Sequence, residues 1–492
     1  MPNNSNKFNS MVKSMLKPTL KNTAFKKTIL FFTLMGVIQA ANADGKLTDM
    51  NESNNTDLYR ALYTDASLDV NSNLYIRYRA VKSKNTGNYG LGAGGIKNQT
   101  ALLALNYKSG YYKDVIGFDF WGGANIKLGN TVGQSEILYY NYSCNGDGQF
   151  SPCEESSASV STAAVKLKYG NDIAKFKMSA GFTPINSGTI KSSWGLSPHS
   201  YRGFDSALSI DNFTLTYAWA DRFKNDWSRD FKPMTTTWHQ NNAAGLNDNG
   251  NIIKKGHVID YIHTVGAVYD FGDAKIDAGY GEGKDYRRNW QLQLERLDNL
   301  SADTSLQTKV FYQGARYIHG IAPVQFPKTE YYVSAGMNLK HKNTTWSLGY
   351  SQNYAPQTAD YNFRLTPWAN SDKRDYQATL SQLEDYNASG THALRLGVAH
   401  NFADYNVPEF TMGLAGTYGW HVVSDTSKIN SQRDYDGKMR SLDLLMRYNV
   451  ESGAAKGLSV TLLPALLRTT DTNYKTSRND VKFIVGYSVN IF

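Results

Sequence analysis

Four lysines in two same-face pairs carry the first chemical signal in this chain. Lys166 and Lys168 are separated from Lys175 and Lys177 by a short polar link at Gly170. In two strands joined by a hairpin, side chains at i and i+2 share a face, so all four ammonium groups would stand together. Arg77 and Arg79 repeat the spacing earlier in the chain. Lined up on a low-dielectric wall, these cations would form a basic track for anionic or hydrogen-bonding solutes. The competing reading is that lysines beside a turn serve solubility alone.

A second signal lies between Pro184 and Gly203, where Trp194, His199, Tyr201 and Arg202 fall close together. Sugar rings pair an apolar face with polar edges, so aromatic platforms beside hydroxyl and guanidinium groups suit them. Trp121, on the inward parity of its own strand, would extend the platform. The alternative is a loop held to a rim by aromatic packing. Cys144 and Cys153 bracket a loop containing Asn145-Gly146-Asp147-Gly148; an even pair in an exported chain reads as a local disulfide. Neither thiol has a nearby His or Cys to complete a metal site, so no metal and no cofactor is expected. Catalytic motifs are equally sparse. Gly90-x-Gly92-x-x-Gly95 fits a dinucleotide pattern formally, but no helix follows it. Nucleophile elbow, Walker loop and His-Glu-x-x-His are all missing, so an enzyme is not expected.

Such residues need a wall, and the chain end shows what kind. From Val481 onward, Phe483, Val485, Tyr487, Val489 and Ile491 alternate with Lys482, Gly486, Ser488 and Asn490, with Phe492 off the parity. That is the pattern of a strand with lipid on one side and a wet lumen on the other. The same period of two recurs over Leu74–Ala80, Leu103–Tyr107, Ile116–Phe120, Val165–Tyr169 and Phe176–Phe182. Short connections fall near Ser109, Gly170, Asp211, Gly272, Leu300, His341, Tyr405 and Gly453. Longer ones occupy 83–98, 128–159, 185–202, 222–256, 317–328 and 353–390, alternating with the short ones as periplasmic turns alternate with outer loops. Counting Tyr376–Leu383 as a strand would break that alternation, so it belongs in a loop. The sum is an all-β, transmembrane, antiparallel up-and-down β-barrel of about 18 strands, both termini on one side, with some loops folded inward.

The amino terminus sets the compartment. Lys21, Lys26 and Lys27 precede an apolar stretch from Thr28 to Ile38, and Ala41-Asn42-Ala43 follows as a small-x-small cleavage site. The apolar run is too short for a spanning helix. The organisation expected is a signal peptide at 1–43, a periplasmic extension at 44–71 and a barrel at 72–492 in the outer membrane of a Gram-negative bacterium. Removing the leader's six lysines lowers the formal net charge from +9 to +3, which leaves no basic face for nucleic acid. A mean hydropathy of −0.48 excludes helical spans, while 33 tyrosines suit a lipid interface.

Several segments then resemble the OprD-type substrate-specific porins, most closely their chitoporin branch. They are the run from Val115 to Gly123 with Lys127-Leu128, Ser179 to Pro184 with Ser197 to Gly203, Asp260 to Phe271, Asn401 to Pro408, Ser452 to Leu458, and the closing Asp480-Val-Lys-Phe483. The resemblance implies an 18-stranded channel for small solutes. It also implies a basic ladder, for which Lys166, Lys168, Lys175 and Lys177 are the candidates, and an inward constriction loop using Trp194, Tyr201 and Arg202. The family's Pro-Gly-Leu turn is replaced by Pro408-Glu409-Phe410, and the cysteine loop lies outside the pattern. The function expected is passive, selective uptake of small hydrophilic solutes, preferably chito-oligosaccharides. Amino acids, peptides or aromatic carboxylates are the alternative cargo, and a surface adhesin is the rival of another class. The partners expected are outer-membrane lipid, lipopolysaccharide and the solutes themselves, around a monomer or homotrimer.

Overall fold

The computed structural model describes residues 57–492 apart from 92–93, 130–131, 133–139, 142–152, 155, 194, 227, 237–244, 247–251, 254–256, 319–328, 356–361, 369–376, 426–433 and 454. The leader, Cys144 and Trp194 therefore lie outside the described residues, as does the side chain of Cys153. A short helical segment, Arg60–Thr64, precedes the first strand and buries Ala61. Its Ala61 carbonyl accepts from Gly110 N–H and its Leu62 carbonyl from Tyr107 Oη, which ties the segment to one rim.

Eighteen long strands follow: β1 (Ser67–Lys82), β2 (Ile96–Lys108), β3 (Ile116–Lys127), β4 (Ser157–Gly170), β5 (Ala174–Thr183) and β6 (Ser200–Ile210) come first. Next are β7 (Phe213–Lys224), β8 (Ile262–Asp270), β9 (Ala274–Gly283), β10 (Arg287–Ser301), β11 (Thr304–Tyr317) and β12 (Thr329–His341). Last come β13 (Thr344–Tyr354), β14 (His392–Phe402), β15 (Val407–Val422), β16 (Gly437–Asn449), β17 (Leu458–Thr470) and β18 (Arg478–Asn490). The first strand starts at Ser67, ahead of the expected 72. Each strand pairs antiparallel with its chain neighbour, and β18 returns to β1 in a register running from Asp69 opposite Asn490 to Val81 opposite Arg478. Closure leaves no open edge, which is what a sheet in hydrocarbon requires, since an unpaired backbone group there costs several kcal/mol.

Alternation explains the two faces. Leu103 and Leu105 on β2, Leu292 and Leu294 on β10, and Leu394 and Leu396 on β14 all point outward and are exposed, as a lipid-facing band must be. Their neighbours in sequence point inward and are small or polar, except Leu102, which is buried against Trp121. The eight short turns of one rim match the expected positions. The other rim departs from strict alternation, because β9 and β10 are joined by Lys284-Asp285-Tyr286 alone, with Asp285 in the left-handed region at φ 54°. Residues 377–383 form no strand, as the alternation argument requires.

Candidate functional site

Two long-rim loops turn into the barrel and are seated on its wall by glycines. The first, between β5 and β6, places Gly188 at φ +48°, where an added Cβ would come within 2.3 Å of Thr264 Oγ1. Gly266 and Gly279 on the wall have no side chain to hold it off, each within 3 Å of Gly188 if it carried a Cβ. Thr189 N–H donates to Thr264 Oγ1 at 2.8 Å, and Asn186 N–H to Asp205 Oδ2 at 2.9 Å. The second loop, between β13 and β14, lies on Gly336 and Gly349 through Ala378. Ala378 N–H donates to Ser334 Oγ at 2.8 Å, and the Ser351 and Thr379 hydroxyls meet at 2.6 Å. Its tip reaches the far wall, where Gln382 donates to Leu463 O at 2.9 Å and to Asp480 Oδ1 at 3.3 Å, and its N–H to Asp443 Oδ1 at 3.3 Å.

An aromatic junction joins the loops to the wall. Trp368 is buried in one apolar cluster with Ile185, Ile190, Tyr201, Phe223 and Tyr286. Its ring meets Phe223 edge-on at 4.7 Å and its Nε1 donates to Tyr201 Oη at 3.4 Å. Polar anchors sit beside it: Asn289 Nδ2 and Gln313 Nε2 donate to the carbonyls of Arg364 and Leu365 at 3.1 and 3.0 Å. Such hydrogen bonds satisfy loop backbone that would otherwise be stranded away from water.

Most of the inward cations named by the sequence are paired with carboxylates, two of them sharing one. Arg77 and Arg79 both donate to Asp480, at 2.9 Å from Arg77 Nη2 and 2.7 Å from Arg79 Nε. Arg77 is 1 % exposed and the Asp480 side chain 0 %. Arg395 Nη1 lies 2.9 Å from Asp443 Oδ2 and also donates to Thr417 Oγ1 at 2.9 Å. Arg287 pairs with Glu330 at 2.5 Å between the rings of Tyr317 and Phe363. Lys166 donates to Asp119 Oδ1 and Ser109 O, both at 2.7 Å, and Lys168 to Asp114 Oδ1 at 3.2 Å. Both ammonium groups lie over the Tyr111 ring at 4.9 and 4.6 Å, and burial pushes that phenol above its ordinary pKa, so it stays neutral beneath them.

The sequence-derived candidates divide accordingly. Lys166, Lys168, Lys175 and Lys177 do share a face, with Lys168 opposite Lys177 in the β4–β5 register. They cluster at the short-turn rim, and only Lys175 and Lys177 lack a carboxylate partner among the described residues. Trp121 faces inward but is 3 % exposed, packed on Leu102 and Ala104 beneath Leu196, so it anchors the first loop and offers no free platform. Tyr201 belongs to the junction with Trp368. Arg202 must be corrected: β6 already includes Ser200, so consecutive residues face opposite ways, and Arg202 shares the outward face with Phe204 and Leu208. It pairs there with Asp221, Nε to Oδ1 at 2.7 Å. Sequence reasoning missed Asp480, Asp443, Trp368 and Gln382. Asp480 was visible on the inward parity of the last strand, but its partners are about 400 residues away and become evident only when β18 meets β1.

Comparison with known proteins places this geometry. The family profile described as outer membrane porin, OprD family, matches residues 62–491. A chitoporin of Escherichia coli K12 is 24 % identical over 387 residues, 74 % of this chain and 76 % of the relative. Among solved structures, Pseudomonas aeruginosa OccK9 (OpdG) superposes with a TM-score of 0.70 at 17 % identity, covering 88 % of this chain and 100 % of that one. OpdK with vanillate, from the same organism, gives 0.68 at 16 % identity over 87 % and 99 %. OccK2 (OpdF) in complex with glucuronate gives 0.66 at 18 % identity over 88 % and 100 %. The chain belongs to the OprD family of outer-membrane porins, channels for solute uptake.

Proposed function

We propose that this porin takes up neutral, hydrogen-bonding oligosaccharides by diffusion, with chito-oligosaccharides as the preferred class. The observation that carries the reading is charge pairing: Arg77 and Arg79 share Asp480, and Arg395 and Arg287 are held by Asp443 and Glu330. A guanidinium already paired with a carboxylate offers little to a solute carboxylate, because the incoming anion must compete with a fixed partner. Beside these pairs the inward face carries uncharged donors and acceptors, among them Gln307 and Asn338, exposed and opposite each other on β11 and β12. These suit hydroxyl and acetamido groups. The E. coli chitoporin likeness points the same way.

Two related structures were solved with the carboxylates vanillate and glucuronate, which makes aromatic or sugar carboxylates the second reading. Lys175 and Lys177 favour it, as free cations at the short-turn rim. Block of single-channel current decides between them. Under the proposal N-acetylglucosamine oligomers interrupt the current in the micromolar to millimolar range and vanillate does not; the reverse result would replace neutral sugars with carboxylates.

A further inference from the structure

The outward face of the barrel carries a groove unrelated to the lumen. It lies at the long-loop rim of β15 and β16, encloses about 650 Å³, and is lined by Tyr418, Trp420, His421, Tyr435, Asp436 and Lys438 with Asp471 at its edge. That volume is within the roughly 300–1,000 Å³ usual for small-molecule sites. Tyr418 and Trp420 share the outward parity of Leu414, which is 44 % exposed. Their rings stack at 5.8 Å, and the His392 ring stacks on Trp420 at 5.5 Å and 17°. His421, at φ +56° on a bulge, meets His392 edge-on. Lys438 and Arg440 project on the same side, are exposed, and have no ion-pair partner among the described residues.

Directly toward the membrane, the face is notched. Gly416 stands between Leu396 and Leu442 in register, and a Cβ there would meet nothing nearer than Ser441 O at 3.9 Å. Leu396 and Leu442 are 59 % and 45 % exposed, so the notch has apolar walls. An apolar slot opening into an aromatic groove with free cations and two carboxylates is the complement of a molecule with an acyl chain, a sugar ring, phosphate and hydroxyls. We propose that this groove binds a single phosphorylated glycolipid of the outer leaflet, with phosphate on Lys438 and Arg440, sugar on Trp420 and Tyr418, and an acyl chain over Gly416. Asp436 and Asp471 accept from the sugar hydroxyls. Aromatic rings at the interface and basic residues beside anionic lipid heads each contribute in the direction required.

The test uses the purified full chain in detergent and native mass spectrometry, with bisphosphorylated lipid A, its dephosphorylated form and phosphatidylglycerol as probes. The expected result is retention of one lipid A, weakened about tenfold or more by dephosphorylation and equally by Lys438→Ala with Arg440→Ala. Gly416→Leu, which fills the slot and leaves every charge, should also weaken it. Heat-modifiable gel mobility and unchanged conductance confirm that the variants are folded. Equal retention of the dephosphorylated lipid, displacement by phosphatidylglycerol at equal concentration, or wild-type binding by the double variant overturns the proposal. So does finding the groove occupied by neutral N-acetylglucosamine oligomers, which would make it a sugar-docking site.

Discussion

Asp443→Asn separates the charge of one internal pair from its shape. Asp443 accepts from Arg395 through Oδ2 and from Gln382 N–H through Oδ1. Asparagine keeps the Oδ1 acceptor for the loop tip and turns its amide toward Arg395, which is left with Thr417 Oγ1 at 2.9 Å. At an effective dielectric constant of about 20, an anion about 6 Å from an uncompensated guanidinium gains about 2.8 kcal/mol. The Arg395 side chain is 20 % exposed and the lumen is wet, so screening at physiological salt reduces this to about 1 kcal/mol. One kcal/mol is a factor of about five in the population of an ion beside the site, and a cation is disfavoured by the same amount. The anion-to-cation permeability ratio should therefore rise by between about fivefold and thirtyfold. The assay is the reversal potential in a potassium chloride gradient across a planar bilayer, with heat-modifiable mobility as the control for folding. A reversal potential identical to that of the parent channel refutes the argument that Asp443 neutralises Arg395 on the permeation path.

Lys175→Glu with Lys177→Glu reverses the two free cations of the short-turn rim and should move the reversal potential toward cations without changing stability; no movement reduces them to solvation. Gly188→Ala forces a Cβ into Thr264 in a left-handed backbone and should cost about 1–3 kcal/mol locally, seen as larger and noisier open-channel current once the first loop lifts. Trp368→Ala empties the aromatic junction and should cost about 3–5 kcal/mol, measured as a lower unfolding midpoint by gel mobility. Gln382→Ala removes the side-chain bridge to Leu463 and Asp480 and should raise current noise while ion selectivity stays put, because Arg77, Arg79 and Arg395 keep their carboxylates.

The wall was readable in the sequence because lipid enforces it locally: outer-parity residues within the hydrocarbon must be apolar, so Leu103, Ile116 and Val165 reveal their strands without reference to distant partners. Turn positions were readable for the same reason, from Ser109 to Gly453. Contents of the lumen were not, since they depend on closure and on loop seating. Arg77 and Arg79 looked like a free track until β18 brought Asp480 beside them. Arg202 looked like part of the constriction because residues 185–202 were taken as loop; the strand begins three residues earlier, at Ser200, and its alternation sends the Arg202 side chain to the outer face. The loop at residues 353–390 was recognised as a loop but not as an occupant of the barrel. Its seat is a pair of wall glycines, Gly336 and Gly349, whose meaning depends on Ala378 arriving from elsewhere in the chain.

The most direct test of a charge-compensated lumen is competition in a single open channel. With neutral N-acetylglucosamine oligomers on one side and vanillate on the other, the neutral sugar should produce resolved, concentration-dependent blocking events, and the carboxylate should leave the trace unaltered. Block by vanillate alone would contradict the account.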